Sequence, residues 1–275
     1  MPIHMLATGW CDTLRALLRK FGAGPSPQEG PTADFVRHYE ALLGSLQPGD
    51  FLHELKSAIG QTKIPATNSF WAGYYARDIA LHHEGDWDYK RRIVARSLEI
   101  VKPKTVIDIG ANTGWYSLLA ARKGAEVTVI ENDETCAHRL YERARTESAA
   151  VLTLVASFFD PTPTLGLTGQ VPRLADRVRS EMVMALALSH HLSLGLGLSF
   201  QQIAQGLADF SSRALLVEFV PFSKDAQNPY RADCRPEMDQ WYSLERFTSS
   251  LGHFFTDVVV IPGPPGGRIL IACEK

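Results

Sequence analysis

From Lys90 onward, apolar runs of strand length alternate with segments of helical period, and the last two runs are separated by little more than Pro262-Gly263-Pro264-Pro265-Gly266-Gly267. Alternation of this kind builds βαβ units, whose strands lie parallel because a helix carries the chain back between them. A short Pro/Gly stretch leaves no room for such a helix, so the final pair must run antiparallel as a hairpin. The expected strands span residues 105–109, 126–130, 151–155, 182–186, 214–220, 256–261 and 269–273. The expected helices span 91–101, 115–123, 134–146, 200–210 and 241–251, and the Pro-rich stretch 161–172 makes an irregular crossing. The fold class that follows is α/β: a seven-stranded, mostly parallel sheet with an antiparallel terminal hairpin.

Residues 1–89 have a different texture. Helical segments are expected at 12–21, at 32–46 and around 51–59, with a Gly/Pro/Ser linker over 22–31. The chain therefore divides into a helical N-terminal appendage or cap, 1–89, and a sheet domain, 90–275. With 45% hydrophobic and 21% charged residues it is too apolar for disorder. Lys+Arg 28 against Asp+Glu 30 gives a net charge of -2, so no basic excess exists to hold nucleic acid or an anionic membrane. A small, locally recognised substrate is expected instead.

Two membrane and metal readings can be weighed directly. Residues 182–208 contain no Asp, Glu, Lys or Arg and are long enough to span a bilayer, but Ser189, His190, His191, Gln201, Gln202 and Gln205 would each need a partner in hydrocarbon. The segment reads as a buried strand, a loop and a helix. Cys11, Cys136, Cys234 and Cys273 are widely spaced and form no C-x-x-C, which points to buried thiols in a reducing compartment. With no leader-like start, a cytoplasmic location is expected. His82-His83-Glu84 lacks a second ligand pair, and its adjacent histidines would diverge on a helix, so no metal is expected.

The most informative segment is Val106-Ile107-Asp108-Ile109-Gly110-Ala111-Asn112-Thr113-Gly114-Trp115, an apolar strand entering a glycine loop and then a helix. A dinucleotide fingerprint would need glycine where Asn112 and Trp115 stand, which disfavours NAD and FAD. Acidic residues bracket the loop, Asp108 on the first strand and Glu131 at the end of the second, where a carboxylate can accept both hydroxyls of a ribose. That pattern indicates an adenosine ligand without phosphates. Plainer roles remain open: the glycines serve any tight turn, and Asp108 or Glu131 can cap the helix that follows.

With Val129-Ile130-Glu131-Asn132-Asp133 after it, this segment is similar to the S-adenosylmethionine (SAM) site of class I Rossmann-like methyltransferases. Asp160-Pro161-Thr162-Pro163, Ala185-Leu186-Ala187-Leu188-Ser189-His190-His191-Leu192 and Val217-Glu218-Phe219-Val220-Pro221 resemble a nodulation-protein-related branch, and the match covers roughly residues 70–275. The resemblance implies SAM as cofactor, its amino-acid part held by Asp108, Gly110, Asn112 and Gly114 and its ribose by Glu131. It implies that the backbone of Ala187 and Leu188 closes the methionine end. Where the family usually has an Asp facing adenine, this chain has Ser157 and Phe158, so adenine recognition falls to that pair, although Phe158 also suits an ordinary core position.

A sulfonium activates three carbons, and the protein must align one nucleophile behind one of them while excluding water. His190 is the expected proton acceptor, because a loop beyond the carboxyl end of the fourth strand overlooks the ligand crevice. His191, Glu218 and Tyr230 are candidate substrate contacts, Glu218 for an ammonium group, with Arg231 beside Tyr230. The histidines could instead satisfy loop backbone, and Glu218 could be a core-edge carboxylate. Phe70, Trp71, Tyr74, Tyr75, Trp87 and Tyr89 crowd the junction ahead of the sheet, and Tyr74 or Tyr75 could lie over a cationic cofactor as a lid. Asn228-Pro229-Tyr230 resembles part of an adenine-amino methyltransferase tetrad but follows the wrong strand and lacks the second proline.

The expected function is SAM-dependent methyl transfer to a small molecule or a carrier-bound biosynthetic intermediate. Two alternatives keep the same pocket. One is attack on another sulfonium carbon, by aminocarboxypropyl transfer or by cyclisation of SAM to azetidine-2-carboxylate with release of methylthioadenosine; the other is SAM binding without turnover. The sequence leaves the oligomeric state open.

Overall fold

The computed structural model describes residues 69–73, 84–221, 241–264 and 267–275, together with positions 53, 56 and 57. The chain forms two compact units, Met1–Ala66 and Thr67–Lys275. In the first, His53, Lys56 and Ser57 are helical, inside the helix expected around 51–59. The helices expected at 12–21 and 32–46, and the linker between them, lie outside the described residues.

In the second unit the elements run α1 (Tyr89–Val101), β1 (Thr105–Ile109), α2 (Trp115–Arg122), β2 (Glu126–Glu131), α3 (Glu134–Thr146), β3 (Val151–Val155), a single-turn α4 (Leu174–Arg177) and β4 (Ser180–Ala185). They continue with a π-helical turn (His191–Gly195), α5 (Phe200–Phe210), β5 (Ser211–Phe219), α6 (Leu244–Leu251), β6 (Asp257–Ile261) and β7 (Ile269–Glu274). The seven strands form one sheet in the order β3-β2-β1-β4-β5-β7-β6. Pairs from β3 to β5 are parallel, and β7 runs antiparallel to both β5 and β6. The chain thus steps outward through β1, β2 and β3 and returns to place β4 on the other side of β1. That reversal opens a crevice at the carboxyl ends of β1 and β4, where ligands bind in open α/β sheets.

Side-chain alternation along the strands feeds two cores. Ile107, Ile109, Val183, Leu215 and Val217 face α5 and α6 through Ile203, Leu207, Phe247 and Leu251. Val106, Met182, Met184, Ala214 and Leu216 face α1, α2 and α3 through Val94, Leu98, Leu118 and Leu140. Each such fully buried aliphatic side chain contributes about 2 kcal/mol by leaving water. Asp108 and Glu218 share strand parity with the second set, so their carboxylates fall on the α1/α2 side of the sheet and need partners there.

Helix ends explain the shifts from the expected bounds. Ser243 caps α6 by accepting from the Arg246 amide, so this helix starts at Leu244 rather than Trp241. Ser199 and Gln202 form a capping box that starts α5 at the expected residue. Residues 182–208 resolve into the end of β4, the π turn and α5, with the turn lying where the sequence predicts a loop. No helix among the described residues is long and apolar enough to cross a membrane.

Candidate functional site

The loop after β1 alternates left-handed and ordinary residues: Gly110, Asn112 and Gly114 have φ of 72°, 55° and 77°. The Gly110 amide donates to the Ile130 carbonyl at 2.8 Å and the Gly114 amide to the Ala111 carbonyl at 3.0 Å, which folds the turn tightly against β2. Gly114 is also constrained by packing, because a Cβ there would stand 2.2 Å from Leu140 Cδ1 of α3. At Gly110 a Cβ would meet Leu188 Cδ1 at 3.2 Å, so the loops after β1 and β4 already face one another closely.

Asp108 is buried, and its carboxylate accepts the Ser117 hydroxyl from α2 at 2.6 Å. Burial pushes its pKa up to about 6, only partly offset by that hydrogen bond and by the charge of Lys90. Glu131 accepts the Asn112 amide at 2.6 Å on one oxygen and the Asp133 amide at 2.9 Å on the other. A carboxylate has about four acceptor positions and the Asn132 amide also bonds to this one, which leaves capacity for a hydroxyl. Burial raises the Glu131 pKa against those backbone hydrogen bonds.

Asn112 turns its side chain away from this cradle. Its Oδ1 accepts the Thr113 amide at 2.7 Å, and its Nδ2 donates to the Trp71 carbonyl at 3.0 Å. Two more bonds tie the segment 69–73 down: Ser69 Oγ donates to Asp133 at 2.6 Å, and Arg139 donates to the Ala72 carbonyl at 2.7 Å. The Trp71 ring meets His191 edge-on at 5.0 Å, so this strap reaches from the β1 loop to the β4 loop. Ser157 accepts the amides of Phe159 and Asp160, and the Phe158 ring is braced against Gly206 and Phe210 of α5.

On the β4 side, Ala187 adopts φ of 55° and its amide donates to Glu218 Oε2 at 2.6 Å. The same oxygen receives Lys90 Nζ at 2.6 Å, with Arg268 farther off at 3.9 Å. The Ser189 hydroxyl donates to the Glu218 main-chain carbonyl at 2.7 Å. Glu218, expected to meet a substrate ammonium, is instead wholly buried and pairs with a lysine of the chain itself. Burial lowers the Lys90 pKa, outweighing the attraction of Glu218.

His190 is buried and lies 3.9 Å from His191, ring centre to ring centre. Burial, then the neighbouring His191, Arg268 and Lys90, pulls the His190 pKa down to about 3; His191 is lowered by burial and by Arg268. Both imidazoles are held neutral near pH 7, and the downward shift makes His190 a weak base there. Tyr74, Tyr75, His82, His83, Asn228, Tyr230 and Arg231 lie outside the described residues.

Lys90 was not singled out by the sequence reading, though a signal existed. A helix N-terminus favours acidic residues, yet Lys90-Arg91-Arg92 fills the first turn of α1 with cations. Each of the three has a specific use. Arg91 stacks on Trp115 at 4.9 Å, Arg92 donates to the Trp87 carbonyl at 2.8 and 2.6 Å, and Lys90 reaches β5.

Strand order, terminal antiparallel strands and the crevice between β1 and β4 together define the Rossmann-like fold of the class I methyltransferases. No protein-family model matches the chain. Among curated proteins it is similar to nodulation protein NoeA of Rhizobium meliloti (strain 1021), 28% identical over 254 residues that cover 90% of this chain and 50% of NoeA. The chain thus spans about half the length of that relative. Among solved structures it is similar to a protein of Nostoc punctiforme PCC 73102 assigned as an O-methyltransferase. That likeness has a TM-score of 0.50 at 16% identity and covers 82% of this chain and 68% of the other.

Proposed function

We propose that the chain is a SAM-dependent methyltransferase acting on a small molecule or a carrier-bound biosynthetic intermediate. The observation that carries this reading is the pair of buried carboxylates, Asp108 and Glu131, flanking a left-handed glycine loop. Two anions at that spot repel a pyrophosphate and suit an uncharged ribose beside a cationic group. Asp108 fits the second requirement, because burial without a hydrogen-bonded cation holds its pKa up, and a ligand ammonium would bring it down.

SAM supplies an electrophilic methyl on its sulfonium. The chain's own residues bind, orient and keep water out. Asp108 accepts from the ammonium, Glu131 from the ribose hydroxyls, and the Ser157 hydroxyl and Phe158 ring meet the adenine. Backbone at Gly110, Ala187 and Leu188 shapes the amino-acid end. His190 and His191 are neutral imidazoles whose ring nitrogens can accept a hydrogen bond from an acceptor hydroxyl or amine and orient it. The Trp71 strap, tied to Asn112 and seated on His191, limits solvent entry. Buried, unbridged Cys136 and Cys273, both with thiol pKa pushed up to about 12 by burial, suit a reducing cytoplasmic setting.

Two measurements test the proposal. Titration calorimetry with SAM should give micromolar binding; no binding would remove both transfer and cyclisation. Incubation with SAM alone, followed by mass spectrometry, should leave SAM intact. Methylthioadenosine formed without an acceptor would replace methyl transfer by attack on another sulfonium carbon.

A further inference from the structure

We infer that Lys90 is a positioning residue for the proposed cofactor pocket, acting through Glu218 on the left-handed turn at Ala187. The inference rests on the reading above for the identity of the ligand, and on hydrogen bonds for the mechanism.

Ala187 is a non-glycine residue with φ of 55°, a conformation that an L side chain resists and that persists only when its surroundings impose it. The imposing group is Glu218. Its Oε2 takes the Ala187 amide, and its main-chain carbonyl takes the Ser189 hydroxyl, so one residue of β5 pins the β4 loop at two points. The turn has a functional location, since the next side chain, Leu188, faces Gly110 across the crevice. A change of φ at Ala187 would therefore alter the gap between the two loops.

Glu218 can hold that amide as a carboxylate only if its own charge is compensated. It is wholly buried, and its Oε1 has no hydrogen-bond partner among the described residues. Lys90 stands 2.6 Å from Oε2, whereas Arg268, nearer solvent, stands at 3.9 Å. The lysine is in turn fixed by the Tyr116 ring, 5.2 Å from its ammonium. Without Lys90, the buried carboxylate loses its nearest cation and is drawn toward Arg268, so the Ala187 amide loses its acceptor. Lys90 lies in the first turn of α1, 128 residues from Glu218, so the pair also ties the start of the sheet domain to the pocket.

The test compares wild type, Lys90→Met, Lys90→Arg and the double variant Lys90→Met/Ala187→Gly, with S-adenosylhomocysteine as the calorimetric probe. Lys90→Met should weaken binding about tenfold or more, the loss of a hydrogen bond to a charged group, and Lys90→Arg should restore most of it. Glycine adopts positive φ unaided, so the double variant should recover binding while remaining less stable to heat than wild type. Wild-type affinity in a folded Lys90→Met, or no recovery in the double variant, overturns the inference. Lys90→Gln, uncharged but still a donor, is used if Lys90→Met does not fold, and the same weakening is expected. Exchange of the Ala187 amide with deuterium reads the Lys90–Glu218–Ala187 link without any ligand, and it should speed about tenfold in Lys90→Met. Unchanged exchange sinks the link itself, whereas a link that responds in a protein unable to bind the probe sinks only the cofactor assignment.

Discussion

The two lips of the crevice are fixed by different physics. On the β1 lip, backbone geometry does the holding: three left-handed residues alternate, and the carboxylates of Asp108 and Glu131 find partners 9 and 19 residues away. On the β4 lip, charge does it: Lys90 reaches across 128 residues to Glu218, which then holds Ala187. Local geometry tolerates little change of shape, whereas charge compensation tolerates changes of shape better than changes of charge. The lips should therefore fail in different ways.

The largest expected effect is steric and belongs to the β1 lip. Gly114→Ala drives a methyl into Leu140 at φ of 77°, and together overpacking and the left-handed penalty should cost about 3 kcal/mol in urea unfolding. A cost under about 1 kcal/mol would erase the contrast. The second effect concerns ligand charge. Asp108 is ionised above its pKa of about 6 and neutral below it, so affinity for a cationic ligand should fall as pH drops. The loss should approach about tenfold per pH unit below 6, and it should vanish in an already weak Asp108→Asn variant. A flat wild-type profile would move the ammonium away from Asp108.

The smallest effect separates the histidine from the carboxylates. With its folded pKa near 3 against an ordinary 6.5, His190 stays neutral when folded but takes a proton when unfolded, so it drains stability as pH falls below 6.5. Replacing it, as in His190→Gln, should reduce the stability lost between pH 7 and 5.5 by about 1 kcal/mol. Turnover should fall in the same variant while SAM affinity holds; an unchanged rate would return His190 to a structural role.

The contrast also explains what the sequence could disclose. Strand β1 is found at the bounds its apolar run predicts, because a five-residue core strand ending in glycine has few other readings. Asp108, Gly110 and Glu131 were legible because their spacing is local to one βαβ unit. Glu218 was visible as a carboxylate on a buried strand, but its partner was not, since nothing in a linear pattern joins residue 218 to residue 90. The Asn112 contact escaped for a related reason: it ends on the Trp71 backbone carbonyl, which every residue type offers. The π turn at His191–Gly195 carries no distinctive composition and reads as a loop until its hydrogen bonds are seen. Gly114 was read as a ligand contact, and its packing against Leu140 could not be anticipated without α3 in place.

The antiparallel strand β7 lies between β5 and β6 rather than at the rim. A ribosome delivers β6 before the strand that must separate it from β5, so β6 has no neighbour to join when it emerges, and the long apolar flank of β5 stays open until residues 269–274 arrive. Assembly of this half of the sheet is thereby postponed to the end of the domain's synthesis, and a stalled or truncated product would expose a sticky edge at the very border of the parallel half.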